Sequence, residues 1–206
     1  MPINFAKPPA AMAANLAAAL PRLAGSANLE ARAPALTRAA ARLATGDAMR
    51  IATTLADVAG SDAVTTPVYL LGLEDLAAGR IVQGAKLKLW AQILPTEAGA
   101  VSAEARASDA RFSQMSNGIS VGRFRNALTR MAAAPPADDG EVAQLRIPAL
   151  EITLLWLKGG RSGDRFEVVD APPGVLTNGQ SFSAAELAAA LKPHAASRLA
   201  NRNADG

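Results

Sequence analysis

The spacing of apolar residues changes near residue 63, and this change constrains the fold more than any other feature of the sequence. Before it, apolar residues recur at steps of three, four and seven, which is the spacing of a helix face: Met12, Leu16, Leu20, Leu23, Leu29, Leu36 and Leu43. After it, apolar and polar residues alternate in short runs, as they do in strands. The sequence therefore predicts an alanine-rich helical arm over residues 1–62, an α+β domain over 63–193 and a flexible tail over 194–206.

Alanine dominates the arm: of the 49 alanines among the 206 residues of the chain, 21 lie in residues 1–62. Alanine favours helices, but its methyl group buries little area, so such helices gain stability by packing on a larger surface. We therefore predict that Leu29, Leu36 and Leu43 contact a partner protein. Because the domain has an apolar pattern of its own, we also predict that residues 63–206 fold without the arm.

The first half of the domain has the pattern of strands followed by a helix. A short apolar run, Val68–Leu71, is typical of a buried strand. Apolar and polar residues alternate over Lys86–Ile93 and again over Val101–Arg106, and the turn residues between the two runs predict a hairpin. An apolar stripe then predicts a helix over Val121–Met131.

The second half repeats strands and a helix. Val142–Ile147 and Leu150–Leu157 read as strands, and the second is predicted to be central because both of its faces are apolar. Gly159–Gly163 predicts a hairpin loop before the next strand. Short loops join these strands, so the sequence predicts an α+β fold with an antiparallel sheet of about five strands and helices on one face.

The last helix has the clearest boundaries. Ser183 and Glu186 have the spacing of a capping box, which predicts the first turn of the helix. Lys192 and Pro193 predict its end, because proline lacks the N–H that a helix interior requires. The tail that begins at His194 is then predicted to be loose.

The side chains that most enzymes use are scarce. The chain has no cysteine and a single histidine, His194, which excludes thiolate nucleophiles, zinc–thiolate centres and a relay between two imidazoles. Gly159–Gly163 lacks the Gly-Lys-Ser/Thr ending of a phosphate-binding loop. We therefore predict no catalytic residue, no metal and no cofactor.

A basic segment between residues 111 and 130 is the alternative binding site. Its backbone N–H groups before a helix, and the arginines of that helix, have the chemistry to hold an anion or nucleic acid. The net charge of the chain is only +3, so we favour a solvated basic face instead. The candidate residues of this alternative are Arg111, Asn117, Gly118, Arg123, Arg125 and Arg130.

Trp90 is a further candidate partner contact. It lies on the polar side of its predicted strand, beside Lys88 and Gln92. An exposed tryptophan can anchor a partner protein. Large aromatic side chains are more often buried, so coverage by the chain's own arm is the favoured explanation of this position.

These observations favour a non-enzymatic role in protein–protein interaction or as a structural subunit of a larger bacterial assembly, with protein subunits as partners. One alternative is a nucleic-acid or anion-binding module. The other is an enzyme with a carboxylate and arginine pocket on the sheet, which Glu151, Arg165 and Glu167 would form. The run Ala10–Leu20 imitates a signal peptide, but Asn15 and the preceding prolines argue against export, and no apolar run is long enough to span a membrane. We therefore expect a cytoplasmic protein that does not bind nucleic acid.

Overall fold

The computed structural model describes residues 4–12, 14–16, 19, 64–96, 99–117, 119–133 and 140–204. Within these residues the chain forms a mixed α+β fold around one sheet. In chain order the elements are β1 (Asn4–Phe5), β2 (Val64–Leu70), α1 (Leu73–Ala77), α2 (Ile81–Gly84), β3 (Lys86–Thr96), β4 (Gly99–Arg106), β5 (Phe112–Asn117), α3 (Ile119–Ala133), β6 (Glu141–Ile147), a 3-10 turn (Pro148–Leu150), β7 (Ile152–Gly160), β8 (Gly163–Asp170), β9 (Ser181–Ser183) and α4 (Ala184–Ala204).

The sheet consists of two antiparallel meanders that meet at a parallel pair. The strand order is β5-β4-β3-β2-β6-β7-β8-β9, and β2 runs parallel to β6. Because α3 connects β5 at one edge to β6 in the middle, the chain crosses over the sheet and enters β6 in the same direction as β2. The short strand β1 also pairs with β6 in parallel, at Asn4 and Phe5.

Each meander is followed by a helix, and the two helices cover opposite faces of the sheet. Phe124 and Leu128 of α3 pack with Val142, Leu155 and Val169, so we call this side the α3 face. On the other side, the α4 face, helices α1, α2 and α4 pack over a larger apolar cluster of the sheet: Ala143, Leu145, Leu154, Trp156, Phe166 and Val168.

The predicted fold class is confirmed as α+β, but the finer prediction is inexact. The described residues form nine strands rather than about five, two of the pairings are parallel, and helices lie on both faces. Leu154 and Leu155 show why helices are needed on both faces of the sheet. Adjacent residues of a strand point to opposite faces, and both of these leucines are buried. The predicted hairpin of β3 and β4 and the loop before Gly163 are confirmed.

Part of the predicted arm belongs to the core of the domain. Met12 and Leu16, each 3% exposed, join Trp90, Ala103 and Ala105 in a third apolar cluster. The side-chain amide of Asn15 donates a hydrogen bond of 2.9 Å to the carbonyl of Ala110. This segment therefore covers β3 and β4, and its contacts argue against an arm that is separable from the domain.

The helix α4 continues through Pro193 to Ala204, so the prediction of a loose tail from residue 194 is wrong for the described residues. Proline removes one backbone hydrogen bond, but the apolar stripe continues past it. Leu187, Leu191 and Ala195 are fully buried against the core at steps of four residues. Tertiary packing therefore outweighs the tendency of proline to end a helix at this position.

The predicted capping box at the start of α4 is confirmed. The hydroxyl of Ser183 accepts a hydrogen bond of 3.3 Å from the backbone N–H of Glu186, and the Glu186 carboxylate accepts one of 2.8 Å from the backbone N–H of Ser183. The N–H and hydroxyl of Ser183 hold the pKa of the Glu186 carboxyl below its ordinary value.

Replacing Ser183 by alanine should lower the free energy of unfolding by about 1 kcal/mol, the usual cost of losing an N-cap. Because the folded-state pKa of Glu186 is depressed, its contribution is present at neutral pH and is lost as pH falls through that pKa. The difference in urea midpoint between the variant and the wild type should therefore shrink on acidification. Ser181→Ala, at an exposed position of β9, is the control and should leave the midpoint unchanged. An unchanged midpoint for Ser183→Ala would contradict the capping assignment.

Candidate functional site

A groove of about 680 Å³ crosses the sheet on the α3 face, where α3 begins. This volume falls in the range of ligand-binding clefts. Six strands contribute side chains to its lining, and the 3-10 turn and the segment after β8 add prolines. One lining residue from each of these strands, in chain order, is Leu70, Leu89, Gln114, Arg146, Thr153 and Asp170.

A buried ion pair lies at the floor of the groove. The guanidinium of Arg146 on β6 contacts both carboxylate oxygens of Glu104 on β4, at 2.7 and 3.1 Å. Glu104 is fully buried, whereas the Arg146 side chain is 22% exposed. Arg146 also donates to the side-chain oxygen of Gln144 at 2.9 Å, and the amide of Gln114 donates to Glu104 at 2.8 Å.

The sheet topology explains why these side chains meet. Glu104 lies opposite Ala91 of β3, whose alternation places it on the same face as Ile93 in the α3 cluster. Arg146 lies four residues after Val142, another member of that cluster, and therefore points to the same face. Since β2 and β3 lie between β4 and β6, the ion pair reaches across two strands and joins the two meanders.

Further hydrogen bonds give the buried side-chain atoms of this network their partners. Glu104 also accepts a long hydrogen bond of 3.4 Å from the Ser102 hydroxyl, and Gln144 donates one of 3.0 Å to the hydroxyl of Thr66. No buried side-chain nitrogen or oxygen of the described residues lacks a partner. A buried charge pair needs partners for its buried donors and acceptors, and the buried atoms of this pair have them.

The start of α3 forms one wall of the groove and is tied to β8. Ser120 and Arg123 both donate to the carboxylate of Asp170, and Arg130 contacts Glu167 at 2.5 Å. These contacts hold α3 against the second meander. They also pair Arg123 and Arg130, two of the arginines predicted to bind an anion, with carboxylates of the chain itself.

Among the described residues, the arginines of the basic alternative have different contacts. Arg123 and Arg130 contact carboxylates of β8, whereas the 76% exposed Arg111 lies 4.0 Å from Asp109 and donates its backbone N–H to that residue. The N–H of Arg111 is the main cause of the lowered pKa of the Asp109 carboxyl. Arg125 is partly buried on α3. The side chain of Asn117 and the whole of Gly118 lie outside the described residues.

The pocket alternative is also not assembled from the residues first proposed. Glu151 lines the groove, in a left-handed backbone conformation with φ of 55°. Glu167 contacts Arg130, and Arg165 lies near Glu186 at the start of α4. Glu167 and Arg165 thus have different neighbours, and of the three side chains only that of Glu151 lines the groove.

Trp90 is buried, with 7% of its surface exposed, and packs with Met12 and Leu16. The assignment of Trp90 as a partner contact is therefore corrected: its indole is covered by the chain's own N-terminal segment, the explanation that the sequence favoured. The other predicted partner contacts, Leu29, Leu36 and Leu43, lie outside the described residues.

The residues of the groove network that the sequence prediction missed are Glu104, Gln114 and Arg146. Alternation placed Glu104 on a polar face of β4 that was expected to be solvated, and β5 carries no apolar alternation that would have placed Gln114. The one available signal of a buried network was the position of Glu104 and Arg146, two charged residues inside regular strands.

Protein-family models, curated proteins and solved structures contain no match to this chain. Within the described residues, no three His, Asp or Glu side chains form a cluster that would hold a metal ion. None of the described helices has both the length and the apolar character needed to cross a membrane.

Proposed function

We propose that the protein is a non-enzymatic binding subunit that holds an extended segment of a partner protein in the groove. The observation that carries this proposal is the shape of the groove. Its lining extends from β5 to β8, which are six interstrand steps apart, roughly 29 Å at the usual spacing. A site of this length and limited volume fits an extended peptide of about eight residues, since a strand rises about 3.4 Å per residue.

The chemistry of the lining supports an uncharged, partly apolar segment. Leu70 and Leu89 supply apolar contacts on the sheet, and the charge of Arg146 is balanced by Glu104. A guanidinium has five N–H donors, and the described contacts of Arg146 use three of them. The remaining two would donate to the backbone carbonyls of a bound segment.

The hydrogen bonds of the Glu104 and Asp170 carboxylates support binding rather than catalysis. A general base needs a lone pair directed at the substrate. Glu104 accepts hydrogen bonds from Arg146, Gln114 and Ser102, and Asp170 accepts from the start of α3. Both groups thus act as structural acceptors in this arrangement.

We further propose that the protein binds its partner in the cytoplasm, the compartment that the sequence predicts.

The proposal predicts that Leu89→Arg blocks the groove. Selection of a random peptide library on the wild-type protein should enrich peptides with apolar and uncharged residues. Their affinity should fall at least about tenfold for Leu89→Arg, because the new charge fills the groove and is poorly solvated there. Fluorescence anisotropy with one selected peptide measures the change.

Leu87→Arg is the matched control, since Leu87 lies two residues away on β3, is exposed and does not line the groove. This variant should bind like the wild type. If Leu89→Arg is unstable, a second variant can be used. Thr153→Arg, which lies in the groove on β7, should show the same loss of peptide affinity. Failure to enrich any peptide, or equal binding by all variants, would contradict the proposed function.

A further inference from the structure

The edge strand β5 has one open side. It pairs with β4, and no described strand pairs with its other side. Its six residues, Phe112–Asn117, include no charged residue and no proline. An exposed edge of this kind presents unpaired backbone N–H and carbonyl groups that can pair with another strand.

The other edge of the sheet is protected in a way that β5 is not. The strand β9 has only three residues and leads directly into α4, so it offers little backbone for pairing. Proteins commonly protect longer edges with lysine, proline or a bulge that turns the edge away. The bulge in the β4–β5 pairing lies near Phe112, and the register from Gln114 to Asn117 is regular.

We propose that β5 pairs with β5 of a second copy of this chain, antiparallel about a two-fold axis, so that the two sheets become one. The charge pattern favours a second copy over an unrelated strand. Antiparallel pairing places the exposed Arg111 of each copy at opposite ends of the new ladder, which separates these like charges. The neutral strand itself brings no like charges together. A two-fold axis also closes the assembly at a dimer.

Ile119 supplies an apolar contact for the same interface. It is 73% exposed and lies two residues after the end of β5. In an antiparallel pair the end of one β5 lies beside the start of the other, so Ile119 would lose exposed area there. A ladder centred on Met115 pairs five residues of each chain, Ser113–Asn117. So short a contact falls below the roughly 1,200 Å² of the smallest standard interfaces, and we expect the dimer to dissociate in the micromolar range.

Sedimentation equilibrium of the full chain tests this inference. The mass should rise from 21.1 kDa towards twice that value as the protein concentration increases through the micromolar range. The double variant Ser113→Lys with Met115→Lys should remain at the monomer mass, because a ladder centred on position 115 places the new lysines of both copies on one face of the sheet, with those at position 115 directly opposite each other. Ser181→Lys on the opposite edge is the control and should dimerise like the wild type.

Hydrogen exchange of the wild-type protein supplies a measurement that needs no variant. Exchange of the β5 amides should slow as concentration increases, while exchange of the β9 amides should not change. A monomer mass at all concentrations, or a dimer that survives the double lysine variant, would overturn the inference. Dimerisation should be unaffected by Leu89→Arg, so failure of the groove proposal and failure of the dimer proposal are distinguishable.

Discussion

Replacing Leu16 by alanine should lower the free energy of unfolding by about 2–5 kcal/mol, the range found for large-to-small changes at buried positions. Leu16 is 3% exposed and covers Trp90 together with Met12, so the shortened side chain leaves a cavity above the indole. Met12→Ala should have a similar effect. Urea unfolding followed by tryptophan emission measures the stability. The emission comes from Trp90 and Trp156, and because Trp156 is buried in the cluster on the α4 face, a red shift of the folded variant reports the exposure of Trp90.

Phe5→Ala is the control for this prediction, because Phe5 lies in the same N-terminal segment but is 41% exposed. Its effect should be much smaller than that of Leu16→Ala. If Leu16→Ala and Met12→Ala both leave the urea midpoint unchanged, the N-terminal segment does not stabilise the domain. The original expectation that residues 63–206 fold alone would then be restored.

Replacing Glu104 by leucine should lower the free energy of unfolding by about 3 kcal/mol. Removing one partner of a buried ion pair costs about 3–5 kcal/mol, and the partial exposure of Arg146 places this case at the lower end. The change also leaves the amide of Gln114 without its acceptor. Asp109→Asn, which changes the exposed pair of Asp109 with Arg106, should leave the urea midpoint nearly unchanged.

A double variant separates the charge effect from the size effect. Glu104→Leu combined with Arg146→Met removes both charges and should recover most of the lost stability, because an apolar pair of similar volume can replace a buried ion pair. Equal instability of the single and double variants would show that the ion pair itself is not the cause. Full stability of Glu104→Leu would show that the floor network is dispensable.

The residues of β3 and β4 show how far alternation can predict a fold. Their hairpin was predicted correctly, because alternate residues do point to opposite faces. Ser102 and Glu104, however, are 1% and 0% exposed, although the pattern placed them on a solvated face. Alternation identifies the two faces of a strand, but what covers each face depends on elements far away in the chain.

The strand β5 was missed and the helix α4 was predicted too short, for related reasons. The strand β5 has no apolar alternation, and its extended form depends on pairing with β4 rather than on its own sequence. The helix α4 passes Pro193 because its buried side chains continue on the same stripe. In both cases tertiary contacts outweigh local preference.

The groove could not be predicted from the sequence because the residues that line it lie far apart in the chain. Arg146 and Glu104 are 42 positions apart, and Gln114 reaches them from a third strand. Nothing in their local sequence indicates that they meet. Only the parallel pairing of β2 and β6 brings the two meanders close enough for these side chains to touch.

The same parallel pairing determines the order in which this chain can fold. Each meander consists of neighbouring strands, so its pairings close short loops and form quickly. The central contact, such as that between Thr66 and Gln144, joins residues 78 positions apart and must wait until α3 has carried the chain across the sheet. We therefore expect the junction of β2 and β6 to be the slow step of folding. Until it forms, each meander would expose a central strand to unwanted pairing.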